Sequence, residues 1–242
     1  MALFIDGPVS TIEDLRAEDS QLKDVASVEG VDVTQKMALA KEDVGFDLER
    51  LLDGRQPLWK VAHTPALRVW HTYRALEMLY RDAYFTHLND RYKMKRDQFH
   101  ELAREAREHI IHRGVRIVSN PIRRASTPAL ATTSGLVQAG TYYVTMAWLN
   151  QAGQEGEPAP FDAITMAAGG FLVTPGVPVL GAVAWNVYVG PGPEEATRQN
   201  TEPLAVSAAW PQVSAPTTNG PRPGNGQDPD YVQPVPRLIA RG

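Results

Sequence analysis

The chain has 242 residues, of which 43 % are hydrophobic and 21 % charged, and its formal net charge is -4; it is long and apolar enough for two packed domains, which excludes wholesale disorder. No apolar run approaches the ~20 residues a membrane span needs, and the start, MALFIDG, lacks the basic and apolar regions of a signal peptide, so a soluble protein without a leader is expected. The lack of cysteine excludes disulfides, cysteine-ligated zinc and a thiol nucleophile and fits a reducing compartment, while the negative charge argues against gripping phosphate backbones, so any contact with nucleic acid should be transient.

Composition changes near Ala125. Residues 1–124 hold 20 Lys and Arg against 20 Asp and Glu, which leaves 4 and 8 of the chain's 24 and 28 to the remainder. Glycine divides 5 against 14, proline 4 against 15, and all six histidines precede the break. This partition predicts a multidomain α plus β protein in which a helical half precedes a β half.

In the helical half, Ser10-Thr11-Ile12-Glu13 is a capping-box pattern with Ser10 as N-cap, opening a helix with Leu15 and Leu22 inward and Gly30 as a stop. Asp32 caps the next helix, whose apolar face is Val33, Met37, Ala40, Val44, Leu48 and Leu51. Gly45 weakens this helix by ~1 kcal/mol relative to alanine. Asp53-Gly54 ends it, and Gln56-Pro57 begins a connection. Thr64-Pro65 reads as N-cap and first helical position of a long helix to Leu88. Its stripe of Ala66, Val69, Tyr73, Leu76, Tyr80 and Ala83, widened by Trp70, Leu79 and Phe85, is too broad for one partner and predicts packing on two sides, with a neighbouring copy on the second. After a turn at Leu88-Asn89-Asp90, a charged helix carries Tyr92, Phe99, Leu102, Ala106 and Ile110 inward and stops at Gly114, closing a long antiparallel helix hairpin.

Asn120-Pro121 and Thr127-Pro128 mark a linker over residues 119–127 that contains Arg123 and Arg124. Strand-like runs follow at 141–149, 161–166, 170–174 and 183–189, punctuated by glycine and proline. They predict a sandwich of immunoglobulin or fibronectin type III kind over residues 128–218. Trp185, Val187 and Val189 alternate with Asn186, Tyr188 and Gly190, the pattern of a half-buried strand. Residues 219–242 carry proline at 221, 223, 229, 234 and 236 and read as an extended arm. Its end returns apolar groups at Tyr231, Val232, Val235, Leu238 and Ile239, flanked by Arg237 and Arg241, and is expected to dock on a partner ring.

Chemistry-bearing patterns are sparse. His109 and His112 lie three apart on one helix and could share a metal, but no third ligand is visible, and His112 in the last turn suits the helix dipole. His63 and His71 bracket a helix start and read the same way. Gly190-Pro191-Gly192-Pro193 lacks the Lys-Ser/Thr pair of a phosphate loop and reads as a hairpin turn. Neither Gly-x-Ser-x-Gly nor His-Glu-x-x-His occurs, and the carboxylates are scattered among arginines. Arg123 and Arg124 read as solvated or paired rather than DNA-binding. Trp148 and Trp185 could form a sugar platform or sit in the sandwich core: exposure would favour glycan binding, burial a structural role.

Three segments, Asp24-Val25-Ala26-Ser27-Val28-Glu29-Gly30, Tyr80-Arg81-Asp82-Ala83-Tyr84 and Leu88-Asn89-Asp90-Arg91-Tyr92, make residues 8–118 resemble the helical head-to-tail adaptor, or head-completion, proteins of tailed bacteriophages. TYYVTMAWLNQAGQEG with AWNVYVG resembles the immunoglobulin- or fibronectin-like modules appended to phage structural proteins. The resemblance implies a non-enzymatic virion protein at the head–tail interface, made in the host cytoplasm. Its copies, usually twelve, would form a ring beneath the portal and extend the DNA channel toward the tail. The partners implied are further copies of the chain, the portal protein, a tail or nozzle protein and DNA in passage, with no membrane, cofactor, metal or catalytic residue. Candidate contact residues are Trp70, Tyr80, Tyr84, Tyr231, Leu238, Ile239, Arg237 and Arg241. Competing expectations are a host-surface module that recognises a glycan or protein while the helices anchor it and, third, a lytic wall hydrolase.

Overall fold

A computed structural model of the chain describes residues 2–87, 90–224 and 226–235. Five helices and three antiparallel sheets fall into two compact units. The helical unit comprises residues 7–117 and continues from residue 229; the β unit comprises residues 2–6 and 118–228. None of the helices among the described residues is long and apolar enough to cross a membrane.

The helical unit opens with α1 (Ile12–Glu18), α2 (Leu22–Glu29) and α3 (Val33–Leu52). The capping box of α1 sits one residue later than the pattern predicts. Thr11 accepts from the Asp14 N–H at 3.1 Å, and the Asp14 carboxylate accepts from the Thr11 N–H at 2.8 Å. Ser10 is drawn away by a distant partner, His71. Gly30, at φ 67°, ends α2, and Asp32 caps α3 by accepting from the Thr34 and Gln35 N–H groups. Thr64 accepts from the Leu67 N–H at 3.3 Å and opens α4 (Pro65–His87); α5 (Lys93–Arg113) follows.

Helix α4 is the centre of this unit. From Trp70 to Tyr80 every residue is buried or half-buried. Leu76, Leu79, Tyr80 and Ala83 share one core with Leu15, Leu22 and Val25 of the first two helices, Ala40 of α3 and Phe99 of α5. Along the middle of the stripe both sides are filled by the chain's own helices, while Val69 and Phe85, toward its two ends, remain exposed. Pairings of Tyr84 with Arg96, Tyr80 with Phe99 and Glu77 with His100 run in opposite directions along α4 and α5, which makes the two antiparallel.

Gly114 ends α5 at φ 80° and leads into β1 (Val115–Ile117), which pairs antiparallel with β10 (Tyr231–Gln233). A Cβ at Gly114 would lie 2.6 Å from Val232 Cγ1 and 2.8 Å from the Gln233 carbonyl oxygen, so this crossing admits only glycine. Tyr231–Gln233 therefore belongs to a sheet of the helical unit, where an extended arm was expected.

In the β unit, β2 (Ala129–Val137), β5 (Gly169–Thr174) and β9 (Trp210–Gln212) form one sheet in the order β2-β5-β9. The other runs β4 (Asp162–Met166), β3 (Gly140–Leu149), β6 (Ala184–Gly190), β7 (Thr197–Arg198), with β8 (Leu204–Ala205) also on β6. Val137, Phe171 and Val173 of the first sheet share a core with Val144, Met146, Trp148, Trp185, Val187 and Val189 of the second. Residues 119–127 supply Ile122 and Ala125 to that core, where a linker was expected. Ile122 is tied through its N–H and its carbonyl to the buried amide of Gln227, 2.8 Å each. The second face of β6, read as solvent-facing, is buried too: Tyr188 packs with Ala147 and Ala196, and Asn186 donates to the Glu155 carboxylate.

The Asp230 N–H donates to the Ile117 carbonyl at 3.2 Å, so the chain leaves the helical unit at Ile117 and returns to the neighbouring strand. Residues 118–228 are an insertion between two paired strands, a position that tolerates independent folding. Replacing 118–228 by a short linker from Ile117 to Pro229 is expected to keep the helical unit folded, whereas ending the chain at residue 118 strips β10 from β1 and lowers the melting temperature by several degrees. Circular dichroism melts of the two variants check this; equal melting temperatures would show that β10 contributes nothing.

Candidate functional site

A polar cluster of the helical unit braces α4 against α5 and the α1–α2 connection. The carboxylate of Asp19, which caps the C-terminus of α1, accepts from Tyr80 OH, from Lys95 Nζ at 2.7 and 2.9 Å, and from the Gln21 N–H at 3.0 Å. The Tyr80 ring stacks on Phe99 at 5.7 Å, and Tyr92 OH donates to Glu29 at 2.8 Å. Burial alone would raise the Asp19 carboxyl, but the hydrogen bonds from Lys95, Tyr80 and Gln21 outweigh it and hold the group below the usual range. Burial and the Asp19 acceptor both push the Tyr80 phenol up. A carboxylate saturated by donors of this strength is a brace, not a proton carrier.

A second cluster ties residues 7–11 to α3 and α4. His71 Nε2 lies 3.0 Å from the Met37 carbonyl, which only accepts, so Nε2 carries the proton and Nδ1 accepts from Ser10 Oγ at 2.7 Å. The pair borders a cleft of about 470 Å³ lined by Pro8, Val9, Ile12, Ala38 and Lys41. Hydroxyl, imidazole and carbonyl in line resemble a nucleophile with its base, yet Ser10 and His71 are each 1 % exposed, so no reacting atom reaches the hydroxyl in this conformation. Burial, opposed by the bond to Met37 and helped by the positive fields of His63 and Lys41, lowers His71 to about 4. No local pattern announces this role, because the two residues are 61 positions apart.

On the outer side of α3, α4 and α5 the charges are matched. Arg74 Nε meets Asp43 at 2.7 Å, Arg74 and His100 hold Glu77, and Arg107 meets Asp47 at 2.7 Å around an open cleft of about 340 Å³. Lys36 meets Asp82 at 2.7 Å. Among these pairs stand large apolar side chains. Phe46, 72 % exposed, follows exposed Leu39 by seven residues on α3, and Phe85 of α4, 59 % exposed, borders the same small concavity as Leu39. They form the candidate contact surface. Phe46 and Leu39 lie outside the stripe that the periodicity of α3 singles out, and a large aromatic residue off the stripe is the one local signal of them.

Of the predicted contact residues, Trp70 and Tyr80 are buried within the helical unit. Tyr84 is half-buried, with the Arg96 guanidinium 4.7 Å above its ring and Phe85 against its edge. Tyr231 is exposed on β10. Arg237, Leu238, Ile239 and Arg241 lie outside the described residues, as do Leu88 and Asn89 of the predicted turn. His109 lines a separate cleft of about 270 Å³ with Arg113 and Pro229; among the described residues no three His, Cys, Asp or Glu side chains gather as metal ligands do. Arg123 lies 3.6 Å from Asp6, and Arg124 donates to the Pro158 carbonyl at 3.0 Å. Gly190-Pro191-Gly192-Pro193 lies in the connection between the paired strands β6 and β7. Trp148 and Trp185 are both fully buried, the second donating to the carbonyls of Ala205 and Ala208, so neither offers a sugar platform.

Two outcomes follow from the buried clusters. Lys95→Met is expected to lower stability by about 1–3 kcal/mol, since it leaves Asp19 charged without its cation. That penalty shrinks as falling pH protonates the carboxyl, and denaturant unfolding at neutral and acid pH reads both effects. For His71 the folded group titrates near 4 and the unfolded one near 6.5, so the unfolded state binds its proton first as pH falls. This contribution is constant above pH 6.5 and lost toward pH 4, by about 3 kcal/mol. Unfolding free energies from pH 7.5 to 4.5 should therefore fall less steeply in His71→Gln than in the unsubstituted protein; parallel curves would refute the assignment. The chain matches no family model, and no curated protein compared with it is similar to it.

Proposed function

We propose that the protein is a structural adaptor of a tailed-bacteriophage virion, assembling through its helical unit into a dodecameric ring beneath the portal that joins head to tail and extends the DNA channel. The exposed Leu39, Phe46 and Phe85 carry this reading, because large apolar side chains that stand among already paired charges suit burial against a further protein surface. The resemblance of residues 8–118 to head-completion proteins supports the same assignment. So does the saturation of the buried polar clusters, which leaves Asp19, Ser10 and His71 as braces. A helical bundle joined to an immunoglobulin- or fibronectin-like sandwich is the finer fold we infer; two antiparallel sheets sharing one core support the sandwich.

One observation favours a second reading for the β unit. In the connection from β5 to β6, Val177 and Leu180 are 84 % and 91 % exposed and no charge interrupts residues 175–183. A tip of this kind suits an apolar protein partner at a host or virion surface better than a glycan, for which the buried tryptophans leave no platform.

Negative-stain microscopy and light scattering of the purified chain test the ring. Rings are expected from the unsubstituted protein, and Phe46→Asp with Phe85→Asp should abolish them while leaving the melt unchanged. Failure to form rings, together with absence of the protein from the head–tail junction of virions, would refute the adaptor reading.

A further inference from the structure

Sheets advertise their edges, and the β unit has four. An edge strand presents unpaired N–H and C=O groups on alternate residues, and proteins that remain single blunt such edges with charge, proline, irregularity or shortness. Three of the four are blunted here. β4 begins with Asp162, the edge beside β6 is broken into β7 and β8 of two residues each, the first with Arg198, and β9 is three residues long with Pro211 in its middle. The fourth edge, β2, is nine residues long and contains neither charge nor proline. Residues 129–133 run in regular register with Thr174–Gly170 of β5, and the only irregularity comes after Thr133, where the Leu136 N–H turns to the Val213 carbonyl at 2.7 Å. Along this regular stretch only Leu130 is partly covered; Ala129, Ala131, Thr132 and Thr133 are exposed.

We propose that the edge of β2 is a pairing site for β2 of a second copy of the chain, the two strands running antiparallel and joining two three-stranded sheets into one of six. Charge selects a copy of the same chain and selects this edge. The side chains of the β unit comprise eight carboxylates and four arginines, so two copies repel over most of their surface. The sheet β2-β5-β9 contains no charged residue at all, so two such units can meet along its edge without facing like charges. The other five-residue edge, β4, carries a carboxylate at its start, Asp162. Sterics agree. Any antiparallel register within residues 129–133 places only Ala, Leu and Thr opposite one another, side chains that fit a pleated face without crowding. The contact is two-fold and closed, since each strand spends its single free edge on the other. It is independent of the proposed ring, whose contact surface lies on α3 and α4.

The lack of cysteine gives the test a clean background. Single variants Ala131→Cys, Thr132→Cys and Thr133→Cys of the full chain, mildly oxidised, are compared with Val177→Cys on the exposed β5–β6 connection. At least one β2 variant is expected to give a discrete disulfide-linked dimer several-fold faster than the loop variant. In the Phe46→Asp, Phe85→Asp background, Ala131→Lys with Thr133→Lys should turn the dimer seen by light scattering into monomer without changing the melt. The same cross-linking in the Phe46→Asp, Phe85→Asp background separates this contact from the ring, because dimers should persist there whether or not rings form. Cross-linking no faster than at Val177, open-ended aggregates in place of dimers, or cross-links only to a different protein would each overturn the proposal.

Discussion

Helix α4 is apolar over too much of its circumference to face water anywhere along its middle, and the helical unit is arranged around that constraint. The first three helices cover one side and α5 the other, so Leu76, Leu79 and Ala83 lose contact with solvent entirely. A helix buried all round also buries its polar residues, and each must then find a partner. Thr72 returns its hydroxyl to the Arg68 carbonyl at 2.9 Å, Glu77 is held by Arg74 and His100, His71 lies between Ser10 and Met37, and Tyr80 reaches Asp19. These bonds fix where the segment before α1, the α1–α2 connection and α5 can sit. Lys95 and Ser10 are thus held in place by the polar groups that α4 buries.

The β unit solves the same problem with less charge. Its carboxylate at Glu155 is buried beside Asn186 and Tyr188, both of which donate to it, and Asn200 extends the chain by donating to Asn186 at 2.7 Å and accepting from the Val187 N–H at 3.0 Å. This network gives β6 a second buried face, so both faces of its central strand are enclosed while the edge β2 remains bare. Burial and hydrogen bonding are concentrated in the β3–β6 pair, and the three-stranded sheet is correspondingly plain.

Local chemistry was legible in the sequence wherever a residue answers to its immediate neighbours. Asp32, Thr64, Gly30, Gly114 and Asp53-Gly54 mark helix ends because capping is settled within three or four positions. The broad stripe of α4 was legible as a need for two sides, but width alone does not say whose side chains supply the second. Misreadings arise where a distant partner decides. Ser10 looks like a cap until His71 claims it; Asn186 and Tyr188 look solvated until Glu155 arrives from another loop; residues 119–127 look like a linker until Gln227 ties Ile122 into a core. Periodicity describes the face a helix buries and is silent about outliers on the other face, which is why Leu39 and Phe46 escaped it.

Because the interhelical ion pairs are satisfied within the helical unit, they have little left to offer a partner. Arg74, Arg107, Lys36 and Lys95 each end on a carboxylate of the same unit, and opening such a pair for an outside acid would exchange one ion pair for another at no gain. What this surface can still contribute is apolar area: Leu39 shares a concavity with Phe85, and Phe46 follows Leu39 by seven residues on α3. Association through such a face is driven by burial, while the paired charges around it act chiefly against wrong approaches, since a misplaced neighbour would desolvate ion pairs without burying Phe46 or Phe85. The bare edge of β2 follows the complementary logic: it contributes directional backbone bonds where side chains contribute almost nothing. A chain equipped with one surface of each kind can make two different contacts without either competing for the same residues.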